Sequence, residues 1–289
     1  MGSGQGSAAG TVVWVVGASS GIGAALAAEW HARGASVVVS ARRADQLDAL
    51  VKSLEAARPG SARALALDAA DLDAAGEHAA RAVAAFGRVD AVCLCHGISN
   101  RGTVAETDLS VERRLFDVNV FSYFALAKAL LPHFFERGSG RFVVMSSVQG
   151  FFGLPGRAPY AASKHALHGY FESLQAEVAH RGVKVNIVCP GYVKTELSLH
   201  ALTTDAASKN AKMDATTAAG YAPEYFARKA LDGVLRDRAY VTVAQRSAVV
   251  AMWLKRFFPS LLRRILARRG RKLAAEDPVA PAAAIDGAK

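Results

Sequence analysis

Six short runs of almost uninterrupted apolar residues mark the first two-thirds of the chain: Thr11–Val16, Ser36–Ser40, Ala62–Leu67, Ala91–Cys95, Phe142–Ser146 and Lys184–Val188. They are rich in Val and bounded by Gly, Pro, Ser or Asp, a pattern that predicts buried β-strands. The segments between them carry helical spacing. Leu47, Leu50, Val51 and Leu54 recur at three and four residues until Pro59-Gly60 stops them. Ala-rich sequence reaches Arg33 before Gly34, and Leu72–Phe86 ends at Gly87. Val111–Phe135 and Tyr160–His180 are longer helical stretches, and Ala222–Val243 adds one more helix and strand. Strands that are apolar throughout and alternate with helices predict a parallel sheet covered on both faces. Right-handed crossovers then make a three-layer, doubly wound α/β sheet, the Rossmann arrangement. No solenoid-type repeat and no second domain is visible. The expected organisation is a disordered arm over 1–10, the Rossmann domain over 11–245, basic amphipathic helices over 246–275 and a disordered tail over 276–289.

Composition is that of a globular chain, 52% hydrophobic and 21% charged. Of its three cysteines, Cys93 and Cys95 fall in a predicted strand, which points to packed thiols in a reducing, cytoplasmic setting, with no disulfide framework and no metal site. No run approaches the roughly 18 apolar residues of a membrane span. The net charge of +10 is uneven, because Arg246–Lys289 carries ten Lys/Arg and three Asp/Glu. The body is nearly neutral, so no nucleic-acid footprint is expected.

The basic tail reads as an amphipathic extension. Val249–Leu254, Phe257, Phe258, Leu261, Leu262, Ile265 and Leu266 supply an apolar stripe, and Lys255, Arg256, Arg263, Arg264, Arg268, Arg269, Arg271 and Lys272 supply charge. Pro259 should divide it or begin its second helix. Two readings stand: peripheral contact with a membrane surface, or a helix packed on the domain or on a second copy.

Candidate chemistry starts at Gly17-Ala-Ser-Ser-Gly21-Ile-Gly23, between the first strand and the first helix. Glycines there permit a tight turn and close approach of a pyrophosphate to backbone N–H groups at a helix N-terminus. At the end of the second strand a dinucleotide site that takes NAD offers an acid to the ribose. This chain offers Arg42 and Arg43, which suit a 2′-phosphate, so NADP(H) is expected over NAD(H). Tyr160 and Lys164 stand four residues apart, one turn apart on a helix face, and Ser147 lies thirteen residues before Tyr160 at a strand end. A neighbouring ammonium favours the ionised form of a phenol.

These motifs together resemble the short-chain dehydrogenase/reductase family, over about Thr11 to Val243. The glycine turn, Asp68 after the third strand, Asn119 in Phe-Asp-Val-Asn-Val, Ser147, Tyr160, Lys164 and Cys189-Pro-Gly191-Tyr-Val-Lys-Thr195 carry the likeness. The resemblance implies an NADP(H)-dependent oxidoreductase acting on CH–OH groups. Its catalytic residues would be Asn119, Ser147, Tyr160 and Lys164, with Asn119 positioning a water that relays protons through Lys164. The implied cofactor contacts are Gly17, Ser19, Ser20, Gly21, Ile22, Gly23, Arg42, Arg43, Asp68, Gly97, Asn119, Tyr160, Lys164, Pro190, Gly191, Val193 and Thr195. Family members usually associate through the helices at 111–135 and 160–180, which implies a homodimer or homotetramer. Two departures stand out. The family's Asn-Asn-Ala-Gly is Leu94-Cys95-His96-Gly97 here, with His96 expected to pack rather than react, and Val16 replaces the usual Thr before the glycine turn.

The substrate site is expected at Ser147, Gln149, Phe151, Phe152, Leu154, Tyr160 and Tyr192, an apolar and aromatic set suited to a lipophilic ketone, aldehyde or alcohol of lipid, steroid or retinoid type. The polar stretch Thr195–Tyr221 is a candidate lid. Met213–Gly220, Gly97–Gly102 and the Leu-x-x-x-Phe-Phe-Pro-Ser-Leu-Leu tail resemble the member-7 branch of the dehydrogenase/reductases, which implies lipid substrates and membrane association. A catalytically idle NADP-binding regulator that acts through its basic tail is the alternative.

Overall fold

Val12–Val16 (β1) is flanked by Ser36–Ala41 (β2) and Ala91–Leu94 (β4), and the chain reverses its direction of travel across the sheet between those neighbours. The computed structural model, which describes residues 7–205, 207 and 209–276, completes the sheet with Ala62–Ala66 (β3), Gly140–Met145 (β5), Val183–Pro190 (β6) and Tyr240–Val243 (β7). Seven parallel strands run in the order β3-β2-β1-β4-β5-β6-β7. A ligand crevice is expected beyond the carboxyl ends of β1 and β4, where the order switches.

Strand alternation divides the core into two layers. Val13 and Val15 of β1 join Val37 and Val39 against Gly21–Ala32 (α1) and Pro223–Leu235 (α8), through Leu26, Trp30, Phe226 and Leu231. Trp14, Val16 and Val38 face the other way, with Ala75–Ala84 (α3), Ser122–Arg137 (α5) and Ala158–Val178 (α6) packed over them. Phe134, Phe142 and Phe171 are fully buried in that layer. Truncating any of them to Ala would cost on the order of 3–5 kcal/mol. Ala44–Ala57 (α2) covers β2 and β3 through Leu47 and Leu54. Trp14 Nε1 donates to Ser40 Oγ at 2.9 Å, so the buried indole keeps its polar end satisfied.

The long helix expected over 111–135 is three pieces in one line: Leu109–Phe116 (α4), a π-helical turn Asp117–Phe121, and α5. Leu109–Arg137 is in fact long and apolar enough to cross a membrane, contrary to the sequence expectation. Its buried Tyr123, Leu126, Leu130 and Phe134 explain the composition, because they fill the core against the sheet.

The arm expected over 1–10 is ordered where it is described: Ala8 is buried and its N–H donates to Arg33 O at 2.9 Å. The tail forms Arg246–Phe257 (α9) and Pro259–Glu276 (α10), broken at Phe258, where φ is −135° and ψ 58°. Pro259 opens the second helix, where its missing N–H costs nothing. Ala248 and Leu262 pack with Val148 and Phe152, so the tail is docked on the domain. The tail expected to be disordered lies, from 277 onward, outside the described residues. Thr195–Tyr221 is not a plain loop. It contains the helical turn Glu196–Ser198 and the short helix Ala215–Ala218 (α7), and Leu202 bridges both Asn100 and Lys209.

Candidate active site

The turn after β1 is built from glycines because nothing larger fits. Gly17 has φ +88° and donates to Ser40 O at 2.7 Å; a Cβ on it would lie 2.5 Å from the His96 nitrogen. A Cβ on Gly23 would fall 2.1 Å from Gly17 O. Gly21, at φ +57°, begins α1, and Ser20 gives that end no side-chain cap. The helix N-terminus therefore presents free N–H groups and the positive end of its dipole. A tight turn that leaves N–H groups free at a helix start fits a dinucleotide pyrophosphate.

Arg43 reaches over this turn: its guanidinium donates to Ser19 Oγ at 2.8 Å and to Ser20 Oγ at 2.9 Å. About two-fifths of the Arg43 side chain stays exposed, 3.9 Å from Glu196. Arg42 lies exposed beside it, and exposed Asp68 follows β3 on the same edge, accepting from the Ala70 N–H at 3.0 Å. Across the crevice, β6 ends at Pro190. The Gln245 amide clamps the backbone of Tyr192, accepting from its N–H and donating to its carbonyl, both at 2.9 Å. A Cβ on Gly191 would strike Gln245 Oε1 at 2.4 Å. Val193 is buried, and the Thr195 methyl sits 3.1 Å from where a Cβ on Gly21 would stand.

Ser147, Tyr160, Lys164 and Asn119 come together at the ends of β5, α6 and the π turn. Ser147 caps the turn Val148–Gly150 by accepting from the Gln149 N–H at 3.1 Å. Tyr160 is buried, and burial raises its phenol pKa. The neighbouring Ser147 hydroxyl opposes that rise, followed by the charges of Arg157 and Arg101. The pull expected from Lys164 is not the operative one. Its ammonium lies 5.7 Å from the Tyr160 ring centroid and donates to Met145 O at 2.9 Å. Burial brings the Lys164 pKa down to about 8.

Asn119 is fully buried in the π turn, a distortion that recurs at functional sites. Its Oδ1 accepts from Ile98 N at 2.8 Å, while Nδ2 donates to Ile98 O at 2.9 Å and to Ser163 Oγ at 3.1 Å. The side chain thus clamps the strand that leaves β4. Gly97 allows this approach, since a Cβ there would lie 3.1 Å from Asn119 Oδ1.

His96 packs, as expected. It lies 4.4 Å from the Tyr123 ring and 2.7 Å from Ser122 Oγ. The Ser122 hydroxyl donates to Val118 O at 2.7 Å, so His96 Nε2–H is the donor of that pair. Burial lowers the His96 pKa to about 3.

An ion triad not foreseen from the sequence stands beside Tyr160. Asp214, at the start of α7, accepts from Arg157 at 2.6 Å and from Arg101 through both carboxylate oxygens. Burial raises the Asp214 pKa, but the Arg101 and Arg157 contacts outweigh it and hold the carboxyl below its usual range. This joins the segment over the site to its two walls.

A cavity of about 380 Å³ opens over Ser147 and Tyr160. Gln149, Phe152, Leu154 and Tyr192 line it as expected, and the tail adds Ala251, Leu262, Ile265 and Leu266. Phe151 is a correction. It turns away to meet His168 at 4.7 Å and Tyr240 at 5.4 Å, packing its ring against α6 and β7 instead.

Known proteins resemble this chain in sequence and fold. Residues 11–206 match the family model for short chain dehydrogenase. The chain is 41% identical over 267 residues to a dehydrogenase/reductase SDR family protein 7-like of Drosophila melanogaster, covering 91% of this chain and 82% of the relative. It is 38% identical over 266 residues to the dehydrogenase/reductase SDR family member 7B of Bos taurus, covering 90% and 82%. Among solved structures, a short-chain dehydrogenase from Streptomyces avermitilis superposes with a TM-score of 0.68 at 33% identity, covering 92% of this chain and 100% of that one. A Beutenbergia cavernae protein described as an NAD(P)-dependent gluconate 5-dehydrogenase, with NADP bound at low occupancy, gives a TM-score of 0.71 at 31% identity, covering 82% and 96%.

Proposed function

The chain belongs to the short-chain dehydrogenase/reductase family, and on that footing we propose that it interconverts a lipophilic ketone or aldehyde and its alcohol, using NADP(H) in preference to NAD(H). The observation that carries this is the convergence of Ser147 and Tyr160 on one cavity, where the Ser147 hydroxyl works against the burial that raises the Tyr160 pKa. When bound, the nicotinamide supplies the hydride in reduction or accepts it in oxidation.

The protein's part is proton handling and positioning. In reduction Tyr160 gives its phenol proton to the carbonyl oxygen, and Ser147 donates a hydrogen bond to that oxygen as charge develops on it. In oxidation the phenolate takes the alcohol proton back. Lys164 spends one N–H on Met145 O and keeps two donors for the cofactor ribose. Asn119 acts through Ile98 and Ser163, holding the segment that leaves β4 against α6. The relay first expected of Asn119 would need a water held by its one spare lone pair. Gly17, Gly21, Gly23, Ser19, Ser20, Pro190, Gly191, Val193 and Thr195 would hold the phosphates and nicotinamide, with Arg43, and Arg42 beside it, holding the 2′-phosphate. The lipophilic character follows from the wall shared by Phe152, Leu154, Leu262 and Leu266.

Following NADPH absorbance against a panel of lipophilic ketones and aldehydes tests the proposal. Turnover with NADPH well above that with NADH is expected. Tight NADPH binding with no turnover across the panel would favour a binding-only regulator that acts through its tail.

A further inference from the structure

The tail helices have two apolar faces, and only one is used by the domain. Ala248 and Leu262 are buried on the inner face. The outer face leaves Val250 55%, Trp253 62%, Phe257 57%, Phe258 62%, Leu261 46% and Ile265 43% exposed. Six of the eleven large apolar side chains exposed among the described residues fall on these two helices. They recur at helical spacing along the two helices. Trp253 and Phe257 sit one turn apart with rings stacked at 5.1 Å, Phe258 is the break between the helices, and Leu261 and Ile265 share one face of α10. An apolar patch of this kind marks an interaction site rather than ordinary surface.

Charge identifies the occupant. Arg246 through Ala275 contains no Asp or Glu, while Lys255, Arg256, Arg263, Arg264, Arg268 and Arg271 are exposed on the same two helices. Aromatic side chains ringed by arginine suit a lipid headgroup region that carries negative charge. A second copy docking through the same face would set one arginine rim against the other, a like-charge contact. We propose that α9 and α10 seat the protein on an anionic membrane surface, with Trp253, Phe257, Phe258 and Leu261 at the acyl boundary. Ile265 belongs to both the patch and the cavity wall, so the mouth of the substrate cavity opens at the edge of the seated face. An amphiphile would enter from the lipid side without crossing water.

The test uses the full chain and vesicles of phosphatidylcholine, alone or mixed with phosphatidylglycerol, with brominated acyl chains. Trp14 and Trp30 are 0% and 2% exposed, so quenching of tryptophan emission reports on Trp253. Flotation with the mixed vesicles accompanied by quenching is expected. The double variant Phe257→Glu/Phe258→Glu should lose both while still binding NADPH. Arg263→Gln and Arg264→Gln should each weaken binding to mixed vesicles roughly fivefold at low salt. Failure to bind mixed vesicles overturns the proposal, as does flotation without quenching. An oligomer that Phe257→Glu dissolves, without vesicle binding, overturns it in favour of a second copy. None of these readouts depends on catalysis, so they stand or fall apart from the proposed reaction.

Discussion

Arg157 donates a 2.6 Å hydrogen bond to Asp214 Oδ2, and the same carboxylate holds Arg101. Tyr160 therefore sits beside two guanidinium groups and one balancing carboxylate. Both arginines pull its pKa down against the burial that raises it. Asp214→Asn removes the balancing charge and strengthens that pull, while Arg157→Gln removes one source of it. Oxidation needs the phenolate, so the acid limb of kcat/KM for oxidation should move to lower pH in Asp214→Asn and to higher pH in Arg157→Gln. Shifts in the same direction, or none, would separate the triad from Tyr160 chemistry.

Arg43 is the residue expected to tell NADPH from NADH. Charge-assisted hydrogen bonds contribute roughly 1.5–3 kcal/mol, or about 10- to 100-fold in affinity. Arg43→Ala should weaken NADPH binding by that factor. The effect on NADH should be smaller, confined to loss of the contacts to Ser19 and Ser20. Fluorescence titration with both cofactors measures this, and an equal loss for both would place the 2′-phosphate elsewhere.

His96 should make the fold acid-sensitive. Its pKa falls from 6.5 to about 3 because burial disfavours the imidazolium. Above about pH 6.5 it is neutral in both states and contributes no pH dependence. As pH falls below that value the unfolded chain binds the proton and the folded one does not. Stability then drops by up to about 1.4 kcal/mol per pH unit until the folded pKa is reached. His168, lowered to about 4 by burial, acts in the same direction. The Tm of the protein should fall between pH 6.5 and 4.5, and His96→Ala should make that decline shallower whatever it does to the Tm at neutral pH. An unchanged slope would refute this role.

Much of the fold was legible because the inner strands β1, β2 and β4 are buried on both faces and each reads as one apolar run. The glycine turn was legible because Gly17 and Gly23 tolerate no Cβ. The positions of Ser147, Tyr160 and Lys164 followed from strand end and helix start. What escaped depends on contacts between distant segments. Asp214 meets Arg101 and Arg157 across 113 and 57 residues, and no local pattern signals that. Phe151 and Phe152 are alike in sequence, but only the second faces the cavity. The π turn at Asn119 is invisible to a 3.6-residue period. In the tail, packing on the domain occupies one face of a stripe that was wide enough to offer two.

In the proposed reaction Tyr160 moves the proton. Tyr160→Phe keeps the ring and its packing and removes the hydroxyl, so it isolates that step. With a ketone turned over by the native protein, NADPH consumption and NADPH binding should be measured side by side. A fall in kcat of at least about 100-fold, the usual scale for a lost general acid, is expected, with NADPH affinity nearly unchanged. Turnover at the native rate in Tyr160→Phe would contradict it.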